Sequence, residues 1–145
     1  TELLSVLSKL GPSAVEKALQ MIERGESPTP QTGDTTIAPK ISKLEAQIDF
    51  RKDSTTIVNH IRAFTYEPGA WCLWKGEPFK ITEAISVKDV KLAEGVIGVD
   101  AKRVLVGCAA DSAIELLKVT PSGKKEMSAI EWARGARLTG GEHFG

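Results

Sequence analysis

The chain has 145 residues, with 19 Lys and Arg set against 19 Asp and Glu, so no global field draws it towards nucleic acid or an anionic membrane. A hydrophobic fraction of 41% and a charged fraction of 26% are those of an ordinary globular protein, and no apolar run approaches the ~18 residues of a membrane span. Cys72 and Cys108 are too few for a disulfide framework, lack metal-ligand spacing and sit in apolar runs; they read as buried small hydrophobes in a reducing compartment, the cytoplasm or an organelle matrix.

Leu3, Leu4, Leu7 and Leu10 mark one face of a first helix, which Gly11-Pro12 is expected to break. A second helix is expected from a capping box, Ser13 with Glu16, with an apolar stripe of Val15, Ala18, Leu19 and Ile22 and a C-terminal cap at Gly25. The pattern is already helical at Thr1 and no initiator Met precedes it, which predicts a fragment of a longer chain. From Gly25 to Pro39 the composition turns to Gly, Ser, Thr, Pro and Gln, an extended linker. Asp53-Ser54 then caps a helix with Ile57, Val58, Ile61 and Phe64 on its apolar face, ended by Pro68-Gly69.

Beyond Gly69 the period changes to that of strands. Ala70–Trp74 is an apolar run, Gly76-Glu77-Pro78 reads as a turn, and Phe79 and Ile81 alternate with Lys80 and Thr82. Ile85 and Val87 keep that phase while Glu83 falls on it, which predicts a bulge at Glu83-Ala84. Short strands follow at 96–99, 104–106 and 114–119, and Gly95, Gly98 and Gly107 suit the bends of a closed barrel. A capping box, Ser128 with Glu131, opens a last helix carrying Ile130, Trp132 and Ala133 and stopping at Gly135. The fold class is mostly β with flanking helices: an OB-like barrel of five to six strands, preceded by a linker and two N-terminal helices.

Chemistry is sparse. His60 faces away from Ile57 and Ile61 and reads as solvated, and His143 lies in a Gly-rich end that is expected to fray. Neither has an orienting partner of the kind a general base needs. There is no Gly-rich phosphate loop, nucleophile elbow or His-Glu zinc motif in the sequence. The charges say more by region: residues 1–30 carry three basic and four acidic groups, 31–65 five and four, 66–117 six and eight, and 118–145 five and three. Basic excess is thus confined to the linker side and the C-terminal end, where it can track a phosphate backbone or be ordinary solvated surface. Trp71 and Trp74 can stack bases in principle but read as core, and Trp132 as packing on the barrel end.

Three stretches resemble the C-terminal region of methionyl-tRNA formyltransferases. They are residues 38–50 (Ala-Pro-Lys-Ile-Ser-Lys-Leu-Glu-Ala-Gln-Ile-Asp-Phe), residues 61–64 with 67–71 (Ile-Arg-Ala-Phe, then Glu-Pro-Gly-Ala-Trp), and residues 121–129 with 132–135 (Pro-Ser-Gly-Lys-Lys-Glu-Met-Ser-Ala, then Trp-Ala-Arg-Gly). Leu10-Gly11-Pro12 and Thr29-Pro30-Gln31 look like the last helices of that family's catalytic domain. The resemblance implies helices of a truncated catalytic domain over 1–30, a basic linker over 31–52 and an OB-like tRNA-contacting domain over 53–145.

It also implies a reaction, transfer of a formyl group from 10-formyltetrahydrofolate to the amino group of methionine on initiator tRNA, for translation initiation. The family's catalytic Asn, His and Asp and its folate pocket belong to the preceding domain, and no position here matches them. No catalytic, cofactor-binding or metal residue is therefore assigned, and the chain alone is expected to be inactive. By matching position, Lys40 and Lys43 are the expected linker contacts to tRNA, followed by Lys124, Lys125, Arg134 and Arg137. Leu44 and Gln47 stand where the family usually has charge. The implied partners are initiator methionyl-tRNA and the preceding catalytic domain, with no membrane and a monomeric state. Two other readings are a related formyltransferase that acts on a sugar nucleotide or uses formylfolate, and a stand-alone OB-type nucleic-acid-binding module.

Overall fold

The structure, a computed structural model, describes residues 2–65, 67–100 and 102–145. It divides into two compact units, residues 1–38 and 39–145.

In the first unit a single helix, α1 (Glu2–Glu23), runs through the Gly11-Pro12 break that the sequence predicts. Proline removes one backbone donor, crowds the carbonyl four residues back, and collides with the N–H and Cβ of the residue before it. Gly11 has no Cβ, which removes one of these collisions, and the helix continues through Pro12. The predicted second cap is absent too: the Ser13 hydroxyl donates to the Leu10 carbonyl, 3.0 Å away, inside the helix. The end forms as expected, with Gly25 at φ 71° and hydrogen bonds from Gly25 N to Ile22 O (2.9 Å) and Glu26 N to Met21 O (3.0 Å). No residue of α1 is buried, and Leu3, Leu7, Leu10 and Leu19 are all more than half exposed.

In the second unit, α2 (Ser54–Phe64) starts where Asp53 accepts from Thr55 N and Thr56 N, at 3.0 and 3.1 Å. It packs Ile57 and Ile61 against the sheet. The strands are β1 (Trp71–Trp74), β2 (Glu77–Lys88), β3 (Ile97–Val99), β4 (Val104–Cys108), β5 (Ser112–Pro121) and β6 (Met127–Ser128), followed by α3 (Ala129–Ala136). All pair antiparallel in the order β1-β2-β5-β4-β3, with β6 beside β5. The β2 register slips between Ile81 and Ala84, which puts Ala84 inward and leaves Glu83 exposed beside Lys118, as the predicted bulge requires.

The first hairpin turn lies one position earlier than the sequence suggests. Lys75 and Gly76 carry φ of 52° and 83°, the two left-handed residues of a two-residue loop, and Glu77 and Pro78 belong to β2. Pro78 is tolerated there because its partner Leu73 turns its backbone groups to the other edge, so no ladder bond is lost.

The half-barrel is closed by two segments read from the sequence as linker and fraying end. The Ile48 amide and the Ala46 carbonyl pair with Trp71 along the free edge of β1. Ala46, Ile48 and Phe50 are buried, so the compact unit takes in the second half of residues 31–52. At the other end, Ile97 bonds Gly141 and Glu142, Gly95 O accepts from Phe144 N, and Leu73 exchanges two bonds with Gly145. The C-terminal residues thus bridge the outer edges of β3 and β1. They do not fray: Glu142 accepts from Thr139 N and Gly140 N, His143 Nε2 lies 3.0 Å from Glu94 O, and Phe144 is 1% exposed.

The core unites Cys72, Phe79, Ile81, Val104, Val106, Ile114 and Val119 with an aromatic cluster of Phe50, Trp132 and Phe144. Gly107 is required where the 92–93 backbone crosses β4, since a Cβ there would sit 2.1 Å from Ala93 O. Ser54 and Ser112, the two buried polar residues among those described, are both satisfied: Ser54 N donates to Ser112 Oγ at 3.0 Å, Ser112 Oγ to Ala109 O at 2.6 Å, and the Ser54 and Ser86 hydroxyls pair at 2.6 Å.

Candidate nucleic-acid interface

All six basic positions singled out in the sequence, Lys40, Lys43, Lys124, Lys125, Arg134 and Arg137, are exposed. They fall into three places on the second unit. Lys40 and Lys43 lie on the segment entering the barrel. There Ser42 N donates to Glu45 Oε2 (2.7 Å) and Glu45 N to Ser42 Oγ (3.2 Å), closing a reciprocal capped turn. The Ser42 hydroxyl, and then the Ser42 amide, hold the Glu45 carboxyl below its ordinary value. The Lys43 ammonium stands 5.7 Å from the centre of the Trp71 ring.

Lys124 and Lys125 follow Gly123 in the β5–β6 turn, which Lys124 N closes on Pro121 O at 3.0 Å. Lys124 also lines an open depression of about 360 Å³ whose floor is Trp74, Phe79, Met127 and Trp132 and whose rim carries Lys75, Glu77 and Glu131. Arg134 and Arg137 line a second depression of about 360 Å³, with Val99, Asp100, Ile130, Ala133 and Leu138. Asp100 brings negative charge to that wall; its carboxyl is held low by the Lys102 amide and by Arg103, 3.0 Å away.

The relation between these depressions follows from helix geometry. At 100° per residue, Glu131, Trp132, Gly135 and Ala136 point towards the first depression. Ile130, Ala133, Arg134 and Arg137 point about 180° away, towards the second. The structure therefore brings Arg134 and Arg137 together and sets Lys124 on the opposite flank of α3. The helix itself stands between the two cationic groups as a ridge.

Two expectations about aromatic and imidazole residues need correction. Trp71 and Trp74, read as core, are both half-buried: Trp74 packs its ring on the core at Trp132 and Phe144, 5.4 and 5.6 Å away, while Trp71 does not join the core. Each holds a lysine against its ring, Lys43 at 5.7 Å and Lys75 at 5.2 Å. Lys75 was not singled out from the sequence, although a cation beside a tryptophan at a two-residue turn is the pattern that places it there. His60, read as solvated, is half-buried with its ring 4.5 Å from Phe64, one turn on along α2. Its Nε2 is buried and, among the described residues, has no hydrogen-bond partner.

Among the described residues no group of three or more His, Cys, Asp or Glu is placed to hold a metal ion. Burial pushes the Cys108 thiol up to about 11 and the Cys72 thiol higher, away from the thiolate form a nucleophile needs. Among the described residues, the two buried polar side-chain atoms without partners, His60 Nε2 and Thr82 Oγ1, belong to residues that line neither depression. Neither depression therefore presents, among the described residues, an unpartnered buried donor or acceptor of the kind that orients a pterin. No helix is long and apolar enough to cross a membrane, among the described residues.

Residues 40–137 match the family model described as formyl transferase, C-terminal domain. Over 145 residues the chain is 37% identical to the methionyl-tRNA formyltransferase of Renibacterium salmoninarum, covering 99% of this chain and 47% of that protein. It is 40% identical over 143 residues to the enzyme of the same name from Mycobacteroides abscessus, covering 97% of this chain and 46% of that protein. The chain thus spans just under half the length of these curated relatives. Among solved structures, HypX from Aquifex aeolicus in complex with tetrahydrofolic acid superposes with a TM-score of 0.61 at 23% identity, over 83% of this chain and 22% of HypX. At that identity the likeness is one of fold.

Proposed function

This chain belongs to the formyl transferase family through its C-terminal domain, and on that premise we propose that it is the tRNA-holding part of a methionyl-tRNA formyltransferase. In this reading the complete enzyme formylates the amino group of methionine on initiator tRNA for translation initiation, working in the cytoplasm or an organelle matrix. The donor, 10-formyltetrahydrofolate, is bound and used by a catalytic domain that lies before these residues. Residues 1–30 are the last helical part of that domain, and 31–52 carry the basic approach to the barrel.

The observation that carries the proposal is the span of the likeness. It runs over 99% of this chain in the Renibacterium relative, so it takes in α1 and the segment after it as well as the barrel. A free nucleic-acid-binding barrel has no need of a preceding helix with an uncovered apolar face. The basic residues supply a physical means. Lys40, Lys43, Lys124, Lys125, Arg134 and Arg137 are exposed on a chain of zero net charge, so attraction to a polyanion is local, and each phosphate they neutralise releases counterions. Binding energy gained there, remote from the reacting amine, positions the substrate and lowers the entropic part of the barrier.

The test is titration of fluorescently labelled initiator methionyl-tRNA with this chain at several salt concentrations, beside a formylation assay with the folate donor. The expected result is binding whose log K falls linearly with log salt, by roughly 0.7–0.9 per phosphate contacted, with no turnover. A flat salt response removes the basic contacts from the reading. Turnover by the chain alone overturns the assignment of the chemistry to a preceding domain.

A further inference from the structure

Trp71 meets the entering segment with both its backbone and its side chain. Its amide donates to Ala46 O (3.0 Å), its carbonyl accepts from Ile48 N (2.8 Å), and across β1 it pairs with Lys80 of β2. These bonds fix the residue at the point where the chain enters the core, Ala46 being fully buried. The side chain then reaches back outward: the indole Nε1 donates to the Lys43 carbonyl at 2.7 Å. That carbonyl already closes the turn by accepting from Ala46 N at 3.3 Å, so one oxygen takes both a turn bond and an indole bond. The ammonium of the same lysine lies over the indole ring, 5.7 Å from its centroid.

We propose that Trp71 is a positioning residue, a clamp that fixes the turn at 42–45 and so sets the place and direction in which Lys40 and Lys43 leave the barrel. The indole is well suited to this because it combines one strong donor with a broad face that attracts a cation. A phenylalanine ring offers only the face and an aliphatic side chain neither. Without the clamp the turn would still have its Ser42–Glu45 box, but nothing would tie that box to β1 on the side-chain face. The cations would then sit on a loose tether, and ordering them would oppose every binding event. The role of the lysines as tRNA contacts rests on the function proposed above; the clamp itself does not.

The test uses the chain with Trp71→Phe, which keeps the ring and removes the donor, and Trp71→Leu, which removes both. The first readout is native-state tryptic cleavage after Lys40 and after Lys43, followed by mass spectrometry. In the unaltered chain cleavage after Lys43 is expected to be the slower by roughly tenfold or more, because its carbonyl and ammonium are both held and the turn must open locally first. In both variants the two sites should approach equal rates while far-UV circular dichroism and cooperative unfolding persist. Equal rates in the unaltered chain overturn the clamp, as does a Lys43 site that stays protected in Trp71→Leu.

The second readout is affinity for labelled initiator methionyl-tRNA. The variants should bind roughly three- to tenfold more weakly, the worth of about one net hydrogen bond, with the salt slope unchanged because every cation is still present. A reduced slope together with weaker binding means that a freed lysine no longer reaches its phosphate, the same positioning role in a stronger form; tighter binding by either variant overturns that role. If deprotection occurs and affinity does not move, the clamp stands and the linker is not a tRNA contact.

Discussion

Leu73 and Gly145 exchange two backbone hydrogen bonds, Leu73 N to Gly145 O at 2.8 Å and Gly145 N to Leu73 O at 3.0 Å. Through this pair the last residues of the chain act as a short strand on the free edge of β1. Gly141 and Glu142 do the same on β3 by bonding Ile97. The half-barrel therefore leaves neither outer strand bare, which is how a small β-fold avoids pairing with other chains through its edges.

Phe144 is the anchor of that strap. It is 1% exposed, and its ring centroid lies 5.1 Å from Phe79 and 5.8 Å from both Phe50 and Trp132. Phe144→Ala should cost about 3–5 kcal/mol, the range for a buried aromatic replaced by a methyl group. Urea unfolding followed by tryptophan fluorescence measures this directly. A destabilisation under about 1 kcal/mol would mean that the strap detaches freely and that the barrel stands without it.

Much of this fold is legible in the sequence because local chemistry and packing agree there. The Ser128–Glu131 box forms as read, Asp53 caps α2, and the Glu83 phase error becomes a bulge. What failed to show was set by contacts distant in sequence. Nothing near Gly141-Glu142 signals that Ile97 pairs with their backbone, and the run Gly140-Gly141-Glu142-His143 reads as a loose end. Pro12 misled in the opposite sense, since the relief its glycine neighbour gives is a steric detail and not a pattern. The candidate site is legible as residue types only. Its division by α3 depends on which side of one helix each residue falls, and the place of Lys43 depends on an indole 28 positions away.

The α3 cap should respond to acid in a predictable direction. The Glu131 carboxyl is held below its ordinary 4.5 first by the Ser128 hydroxyl and then by the Ser128 amide. A carboxylate with a lowered folded-state value stabilises above its unfolded value, and that contribution is lost as pH falls through the lowered one. Glu131→Gln should therefore be less stable than the unaltered chain at pH 6 and converge with it towards pH 3, read as urea midpoints. Ser128→Ala should cost about 1 kcal/mol at neutral pH. A gap between Glu131→Gln and the unaltered chain that widens in acid would contradict the hydrogen-bonded cap.

The cysteines make a prediction of opposite sign. Burial raises the Cys108 thiol to about 11 and the Cys72 thiol further, so both stay protonated in the folded chain at pH 8. Alkylation by iodoacetamide at that pH should be at least ~100-fold slower in the native chain than in urea, since the thiolate is the reactive form and access is closed. A raised thiol value stabilises fully below the ordinary value of 9.0, and that stability is lost as pH climbs from there through 11. Native and unfolded rates that match would place either sulfur at the surface.

The division of the basic residues by α3 leads to the most discriminating experiment on the proposed tRNA contact. Lys124 lies on one flank, with Lys125 next to it in the same turn, and Arg134 and Arg137 lie on the other. A helix with its side chains is only about 10–12 Å across, so a polynucleotide can straddle it and touch both flanks. Lys124→Gln with Lys125→Gln, and separately Arg134→Gln with Arg137→Asn, should each lower the slope of log K against log salt by roughly 0.7–0.9 for every phosphate left without its cation. Asparagine is chosen at 137 because that residue sits at φ 55°, a left-handed conformation that asparagine tolerates. The two reductions should add in the fourfold variant, because separate phosphates release separate counterions. If one pair leaves the slope untouched, that flank faces solvent in the complex. The interface then lies on the other side of the helix, and Asp100, which faces Arg134 and Arg137, gives a reason for expecting their flank to be the weaker of the two.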